Sequence, residues 1–167
     1  MRINFIKNIF ILIFLFSGTG FSQIKLIMPA VTDTVGKELL VPISLSNITG
    51  KKISSYQLQF GFEPSKLNIL ATSVAGTLSE KSTTTNFIDS KNGIVRIAWA
   101  ISDTINGEGN LLNLKIKLLK PGETEIKFES TGTYPNGGTF TSMIGAGTTK
   151  IEAVQGKIVC LPKKKKT

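Results

Sequence analysis

The sequence predicts an all-β domain, a two-sheet β-sandwich with jelly-roll topology and about nine strands. Apolar and polar residues alternate with a period of two in many short segments, as expected for strands that are buried on one side. No long segment shows the apolar spacing of an amphipathic helix. Turn signals interrupt the alternation roughly every 8 to 12 residues, a spacing typical of sandwiches.

The alternation also predicts which side of each strand faces the core. The clearest inward sets, in chain order, are Val41, Ile43 and Leu45; Tyr56, Leu58, Phe60 and Phe62; Leu67, Ile69 and Ala71; Val95, Ile97, Trp99 and Ile101; and Leu112, Leu114, Ile116 and Leu118. Between them, the segments NITGKK, KNG and KPGE have the residue types of tight turns. Weaker strands are expected at Phe87 and Ile88, at Ile126 and Phe128, and in a last pair between Ile151 and Val159. The Gly- and Thr-rich segment STGTYPNGGTFTS is expected to be a loop.

The two ends of the chain differ from this body. Residues 1–22 combine a basic start, an apolar run from Ile9 to Phe16 and a small-residue stretch, which predicts a cleaved signal peptide and a protein that is secreted or on the exterior of the cell envelope. A span of the bilayer needs about 18 to 20 apolar residues, so we expect no membrane span. Residues 23–160 form the predicted sandwich, and residues 161–167 a disordered Lys-rich tail.

The net charge of +9 is concentrated at these ends. Six of the 20 basic residues lie in the signal peptide or the tail, which leaves 14 basic against 11 acidic residues, a charge of +3, on the body. Polyanions are bound by clustered Lys and Arg that displace counterions. The sequence therefore does not predict a nucleic-acid partner.

The chain has no His and a single Cys, Cys160. This excludes a His general base, a Ser-His-Asp or Cys-His nucleophile, a His-ligated zinc and an internal disulfide. A glycosidase would need two carboxylates across a cleft, whereas most of the acidic residues fall in turns or on the polar sides of strands. The segment with Asp103, Asn106 and Glu108 fits a hairpin turn better than a calcium loop. We predict a protein that is not an enzyme and carries no cofactor or metal.

Several short motifs occur in a distinctive order along the body. Gly36 precedes the second strand, and the strand YQLQFGF ends in the triplet Phe62, Glu63 and Pro64, with Leu67 following. The strands NGIVRIAWA and GEGNLLNLKIKLL come later. In order and spacing these pieces resemble a cohesin module, the receptor half of the cohesin–dockerin pairs that assemble polysaccharide-degrading enzymes.

The resemblance spans residues 30–159 and implies a module that docks dockerin-bearing proteins on one exposed sheet face. Dockerins are small calcium-loaded helical modules, so it also implies that the calcium belongs to the partner. The implied face joins the outward sides of two strands, at Ser55, Gln57, Gln59, Gly61, Arg96, Ala98 and Ala100. Ser55 and Gln57 stand where well-known type I cohesins carry Asn and Asp. The alternative interpretation is that these residues are only the solvated side of a sheet.

Two other functions remain open at this stage. A carbohydrate-binding module would have the same strand pattern and would bind polysaccharide directly, and a structural or adhesive envelope domain would need no dockerin. Sugar binding usually uses a coplanar row of exposed aromatic rings, but Trp99 and Tyr56 share the parity of the core. Tyr134 and Phe140, beside the Gly-rich segment, are the better stacking candidates.

Overall fold

The computed structural model describes residues 23–81, 83–131, 138–142 and 151–164, and those residues contain strands and turns but no helix. The strands are β1 (Ile24–Ile27), β2 (Val31–Thr34), β3 (Glu38–Ser46), β4 (Ile53–Gly61), β5 (Leu67–Ser73), β6 (Thr83–Asp89), β7 (Ile94–Ile105), β8 (Gly109–Leu118), β9 (Gly122–Phe128), β10 (Gly138–Ser142), β11 (Ile151–Val154) and β12 (Gly156–Leu161). The predicted signal peptide, Tyr134, the side chain of Phe140 and the end of the tail lie outside the described residues. A search of the described part finds no helix of the length and apolarity that a membrane span requires.

The strands form two sheets that pack face to face. The smaller sheet has the order β11-β1-β3-β8-β5, and the larger has the order β2-β12-β9-β4-β7-β6, with β10 beside β4. Between β3 and β9 the chain passes repeatedly from one sheet to the other, so most neighbours within a sheet are distant in sequence. The predicted all-β sandwich is confirmed.

The described residues contain twelve strands, more than the nine or so that we predicted. Two of the three additional strands, β1 and β2, lie where we predicted no strand. They form one extended segment that crosses from the smaller to the larger sheet, as the predicted last pair, β11 and β12, also does. The crossings occur at residues 28–30 and at Gln155. The third additional strand, β10, lies in the segment that we expected to be a loop, and it pairs antiparallel with β4.

The core lies between the sheets and consists of apolar side chains from both. The predicted inward residues of β3, β4, β7 and β8 are buried, apart from Ile101, whose side chain lies outside the described residues. Phe60 of β4 and Phe128 of β9 meet edge to face, with ring centroids 6.2 Å apart. Each fully buried side chain of this size stabilises the fold by about 1.5 to 3 kcal/mol relative to exposure.

The turn after β6 is tied to the end of β4. Asp89 accepts hydrogen bonds from the backbone N–H of Asn92 at 3.0 Å and from its side-chain amide at 2.7 Å. Gly93 then adopts a φ of 69°, and its carbonyl accepts the N–H of Phe62 at 2.8 Å. A Cβ at Gly93 would overlap the Phe62 carbonyl oxygen and press on Pro64, so only glycine fits. The turn KNG and the Phe-Glu-Pro triplet therefore form one local structure.

Candidate functional site

The predicted site residues lie on one side of the larger sheet, on two neighbouring strands. In the antiparallel register of β4 and β7, Ser55 pairs with Ala100, Gln57 with Ala98 and Gln59 with Arg96. Alternate residues of a strand point to the same side, so these six residues share a face with Gly61. Because their neighbours Tyr56, Leu58 and Phe60 are buried, this face is turned away from the core.

Two further strands widen the surface, which we call the β4–β7 face. It is the outward side of β10, β4, β7 and β6. Thr139 of β10 pairs with Gln57, and Thr85 of β6 pairs with Ala98. A shallow depression of about 360 Å³ occupies the middle of the face. Its lining consists of Ser55, Tyr56, Gln57, Thr85, Ala98, Trp99, Ala100 and Thr139. The outward side chains among these are small or neutral, so the depression offers van der Waals contact and hydrogen bonds, without charge.

Beneath the depression, on the core side of the sheet, lies a pair of buried aromatic side chains. The rings of Tyr56 and Trp99 stack with centroids 5.0 Å apart and an interplanar angle of 11°. The Trp99 indole donates to the Ser79 carbonyl at 3.2 Å, and the Tyr56 hydroxyl and the Ser79 hydroxyl are 2.8 Å apart. Burial raises the pKa of Tyr56, so the phenol stays neutral. The expectation that Trp99 and Tyr56 belong to the core, not to a sugar-stacking platform, is confirmed.

A row of three hydrogen-bonded side chains crosses the sheet beside the depression; we call it the polar row. Arg96 of β7 donates from Nε to Gln59 Oε1 at 2.8 Å. Gln59 of β4 donates from Nε2 to Glu129 Oε2 at 3.1 Å. A cation on one side and an anion on the other thus orient the Gln59 amide, which is only 4% exposed. The row places a positive and a negative charge on either side of a neutral amide.

Two of the predicted residues, Gln59 and Gly61, are on the expected side but buried. The Glu129 side chain, which follows β9, lies over Gly61 so closely that a Cβ there would overlap its carboxylate. Glycine in a strand interior often marks such a close approach. Our sequence reasoning missed Glu129, although the glycine in β4 was a signal that another group covers this point.

Phe87 of β6 is a second residue that the sequence reasoning did not assign to the face. It pairs with Arg96 across β6 and β7 and remains 53% exposed. Arg96 Cζ lies 5.8 Å from the centroid of the Phe87 ring, within the range of a cation–π contact. The signal was the parity of Phe87, which matches the outward Thr85 of the same strand.

Beyond Gly61, the same sheet carries a charged depression of about 560 Å³. It is lined by Gly61, Phe62, Glu63, Glu123, Thr124, Glu125, Lys127, Glu129 and Lys157. Lys127 pairs with Glu125 at 3.1 Å, and Lys157 pairs with Glu123 at 3.0 Å. Both lysines are therefore paired with carboxylates. In the part of the chain that the structure describes, no cluster of metal-ligating residues occurs.

Comparison with known proteins identifies the family. The model of the cohesin domain matches residues 24–158, which is most of the chain. The chain belongs to the cohesin family. A search of curated proteins finds no significant match.

Solved structures show the same fold as this cohesin at low sequence identity. The chain is similar to the OlpA cohesin in a type I cohesin–dockerin complex from Clostridium thermocellum, with 21% identity, a TM-score of 0.72, and 83% of this chain and 99% of that chain covered. The OlpC cohesin complex from the same organism has 12% identity and a TM-score of 0.72, with 84% of this chain and 95% of that chain covered. A non-cellulosomal cohesin from Archaeoglobus fulgidus has 16% identity and a TM-score of 0.67, with 83% and 91% covered.

The cysteine of this cohesin is separate from the β4–β7 face. Cys160 lies in β12 and is 4% exposed. Burial, and secondarily the charge of Asp33, raises the pKa of its thiol. A protonated, covered thiol is a poor nucleophile, so the structure favours an inert thiol over one that pairs with another molecule.

Proposed function

We propose that this cohesin is an exported, non-catalytic docking module that binds a dockerin-bearing protein on the β4–β7 face. The observation that carries the proposal is the neutral depression over the Tyr56–Trp99 pair, bordered by one cation, Arg96. A rigid, small-residue surface lets the backbone and side chains of a helix approach closely without displacing the sheet. The relatives OlpA and OlpC were solved with dockerins, which supports the same class of partner here.

The role that we propose is to hold a polysaccharide-degrading enzyme outside the cell. Residues 1–22 would direct export, and the calcium would be carried by the dockerin. The β4–β7 face itself presents amides, hydroxyls and methyl groups, which suit contact rather than proton transfer. The protein would thus contribute position to the enzyme, and the catalytic groups would be those of the enzyme.

Direct polysaccharide binding is the alternative that the experiment must separate. In the described part of the β4–β7 face, the exposed aromatic side chain is Phe87, and the Arg96 guanidinium lies over its ring. A coplanar row of free rings, the usual sugar platform, is therefore not what these residues form. The geometry favours a protein partner.

Capture from the secretome of the source organism tests the proposal. The mature body, residues 23–167, is immobilised and incubated with culture supernatant with calcium or with a chelator, and bound proteins are identified by mass spectrometry. We expect calcium-dependent recovery of enzymes with dockerin sequences. Retention of the module on insoluble polysaccharide, without a dockerin-bearing protein, would contradict the proposal.

Variants locate the binding surface. The double variant Gln57→Ala, Arg96→Ala is expected to keep the fold and lose partner binding, and Ala98→Arg is expected to weaken binding at least about 100-fold by filling the depression. Ser44→Arg, on the outward side of β3 in the other sheet, is the matched control. Circular dichroism verifies folding. Unchanged affinity of both face variants for a captured dockerin would exclude this face.

A further inference from the structure

Arg96 is held in place from two directions. Gln59 accepts its Nε–H at 2.8 Å, and the exposed Phe87 ring lies under its guanidinium, with 5.8 Å from Cζ to the ring centroid. Gln59 is in turn fixed by its hydrogen bond to Glu129. An arginine tied at Nε and stacked on a ring has already lost much of its rotamer freedom, so a further contact at its terminal nitrogens costs less ordering entropy.

Arg96 also differs from the lysines of the same sheet in its electrostatic pairing. The ion pairs in the described residues all use lysine, including Lys127 with Glu125 and Lys157 with Glu123. The described part of the chain provides no carboxylate in ion-pair contact with Arg96. The Nε bond to an amide oxygen leaves the two Nη groups to form the planar fork that matches a carboxylate.

We propose that Arg96 is the specificity anchor of the β4–β7 face, and that the docked partner places an Asp or Glu side chain of a helix against its guanidinium. The inference rests on the proposed docking function and adds the charge that the partner must carry. Phe87 and Gln59 act as positioning residues, because they hold Arg96 at the border of the neutral depression. The helix then lies over Ser55, Gln57, Ala98 and Ala100 while its carboxylate reaches Arg96.

A protein carboxylate fits these surroundings better than the carboxylate of a sugar acid. The depression of about 360 Å³ beside Arg96 is lined by residues of four neighbouring strands, β10, β4, β7 and β6, and their outward side chains there are small or neutral. Strands lie about 4.8 Å apart, so four of them span about 14 Å, which is wide enough to seat a helix of roughly 10 Å diameter. A uronic acid usually stacks its ring on a free aromatic face, and the Arg96 guanidinium lies over the exposed Phe87 ring.

The test uses the isolated, calcium-loaded dockerin module of a captured enzyme and calorimetric titration. We expect Arg96→Gln to weaken binding about tenfold to a hundredfold, as is usual for hydrogen bonds to a charged group. Arg96→Lys keeps the charge and loses the fork, so it should recover only part of the affinity. Lys127→Gln is the matched control: it removes the same charge from the same sheet at a paired lysine, and its affinity should stay within about twofold.

Neutralising each helical Asp and Glu of the dockerin in turn identifies the partner group. One substitution should weaken binding of the wild-type cohesin and have no further effect on Arg96→Gln, the non-additivity expected of a direct pair. Additive effects for every dockerin carboxylate would overturn the inference, as would Arg96→Gln binding like the wild type. Binding of polygalacturonate that depends on Arg96 would assign the carboxylate to a sugar and also overturn it. If the wild-type protein captures no dockerin, the docking function itself fails, which is a different result.

Discussion

The outward faces of the two sheets differ in how their charged side chains are held. On the β4–β7 face, the charged groups of the polar row are joined through the buried Gln59, and the rest of the face is small and neutral. The outward side of β3 and β8, which we call the β3–β8 face, carries the exposed pair of Glu38 and Lys115 at 2.9 Å. Next to it lies Leu40, 63% exposed.

The two faces differ in how firmly their charged side chains are kept in position. An exposed ion pair between two long side chains is screened by water and contributes little to stability. A buried amide that bridges a cation and an anion has few alternatives, so its neighbours keep their positions. Specific recognition needs groups that are already in place, which is why we place the partner on the β4–β7 face.

The largest effect that separates the faces is expected for Trp99→Ala. Trp99 is 2% exposed and stacks on Tyr56 under the depression, so its loss opens a cavity and should lower the free energy of unfolding by about 3 to 5 kcal/mol. Leu40→Ala on the β3–β8 face should change it by less than about 0.5 kcal/mol. Urea denaturation measures both. Equal losses for the two variants would mean that the faces are not supported differently.

A smaller effect is expected for Gln59→Leu. The substitution removes the amide that donates a hydrogen bond to the Glu129 carboxylate and accepts one from Arg96 Nε. This loss should lower the free energy of unfolding by about 1 to 3 kcal/mol. Lys115→Met breaks the exposed pair with Glu38 and should cost less than about 0.5 kcal/mol. A Gln59→Leu protein as stable as the wild type by thermal denaturation would show that the polar row does not hold the face.

The smallest effect concerns the pH dependence of the exposed pair. The hydrogen bond and charge of Lys115 lower the pKa of Glu38. A carboxyl whose pKa is lower in the folded than in the unfolded protein stabilises the fold above its unfolded-state pKa, and the contribution is lost as the pH falls through the folded-state pKa. Lys115→Met should return the pKa of Glu38 towards its ordinary value, as followed by carboxyl NMR titration. A midpoint that does not move would indicate that the pair is not formed in solution.

Much of the fold was predictable because strand periodicity is a local property. A strand that is buried on one side must alternate, so the inward residues of β3, β4, β7 and β8 could be assigned from the sequence. β5 shows the limit, because its register against β8 shifts between Ile69 and Ala71, and Ala71, which we predicted to face the core, is only half-buried. Alternation alone does not reveal a bulge. It also did not reveal β10, whose five residues, Gly138–Ser142, gain their partner only from β4.

The sequence by itself determined the strand class, the inward and outward sides of β4 and β7, and the absence of imidazole chemistry, since each depends on residue types or on nearest neighbours along the chain. Only the tertiary structure decided what lies beside Arg96. Glu129, Gln59 and Phe87 come from three strands or strand ends, and pairing brings together residues as far apart in sequence as Gln59 and Glu129, which are 70 residues apart. Because inter-strand register is a long-range property, it could not be obtained from periodicity. This register places Gln59 and Phe87 against Arg96, so the arginine that the sequence predicted only to point outward is held in position.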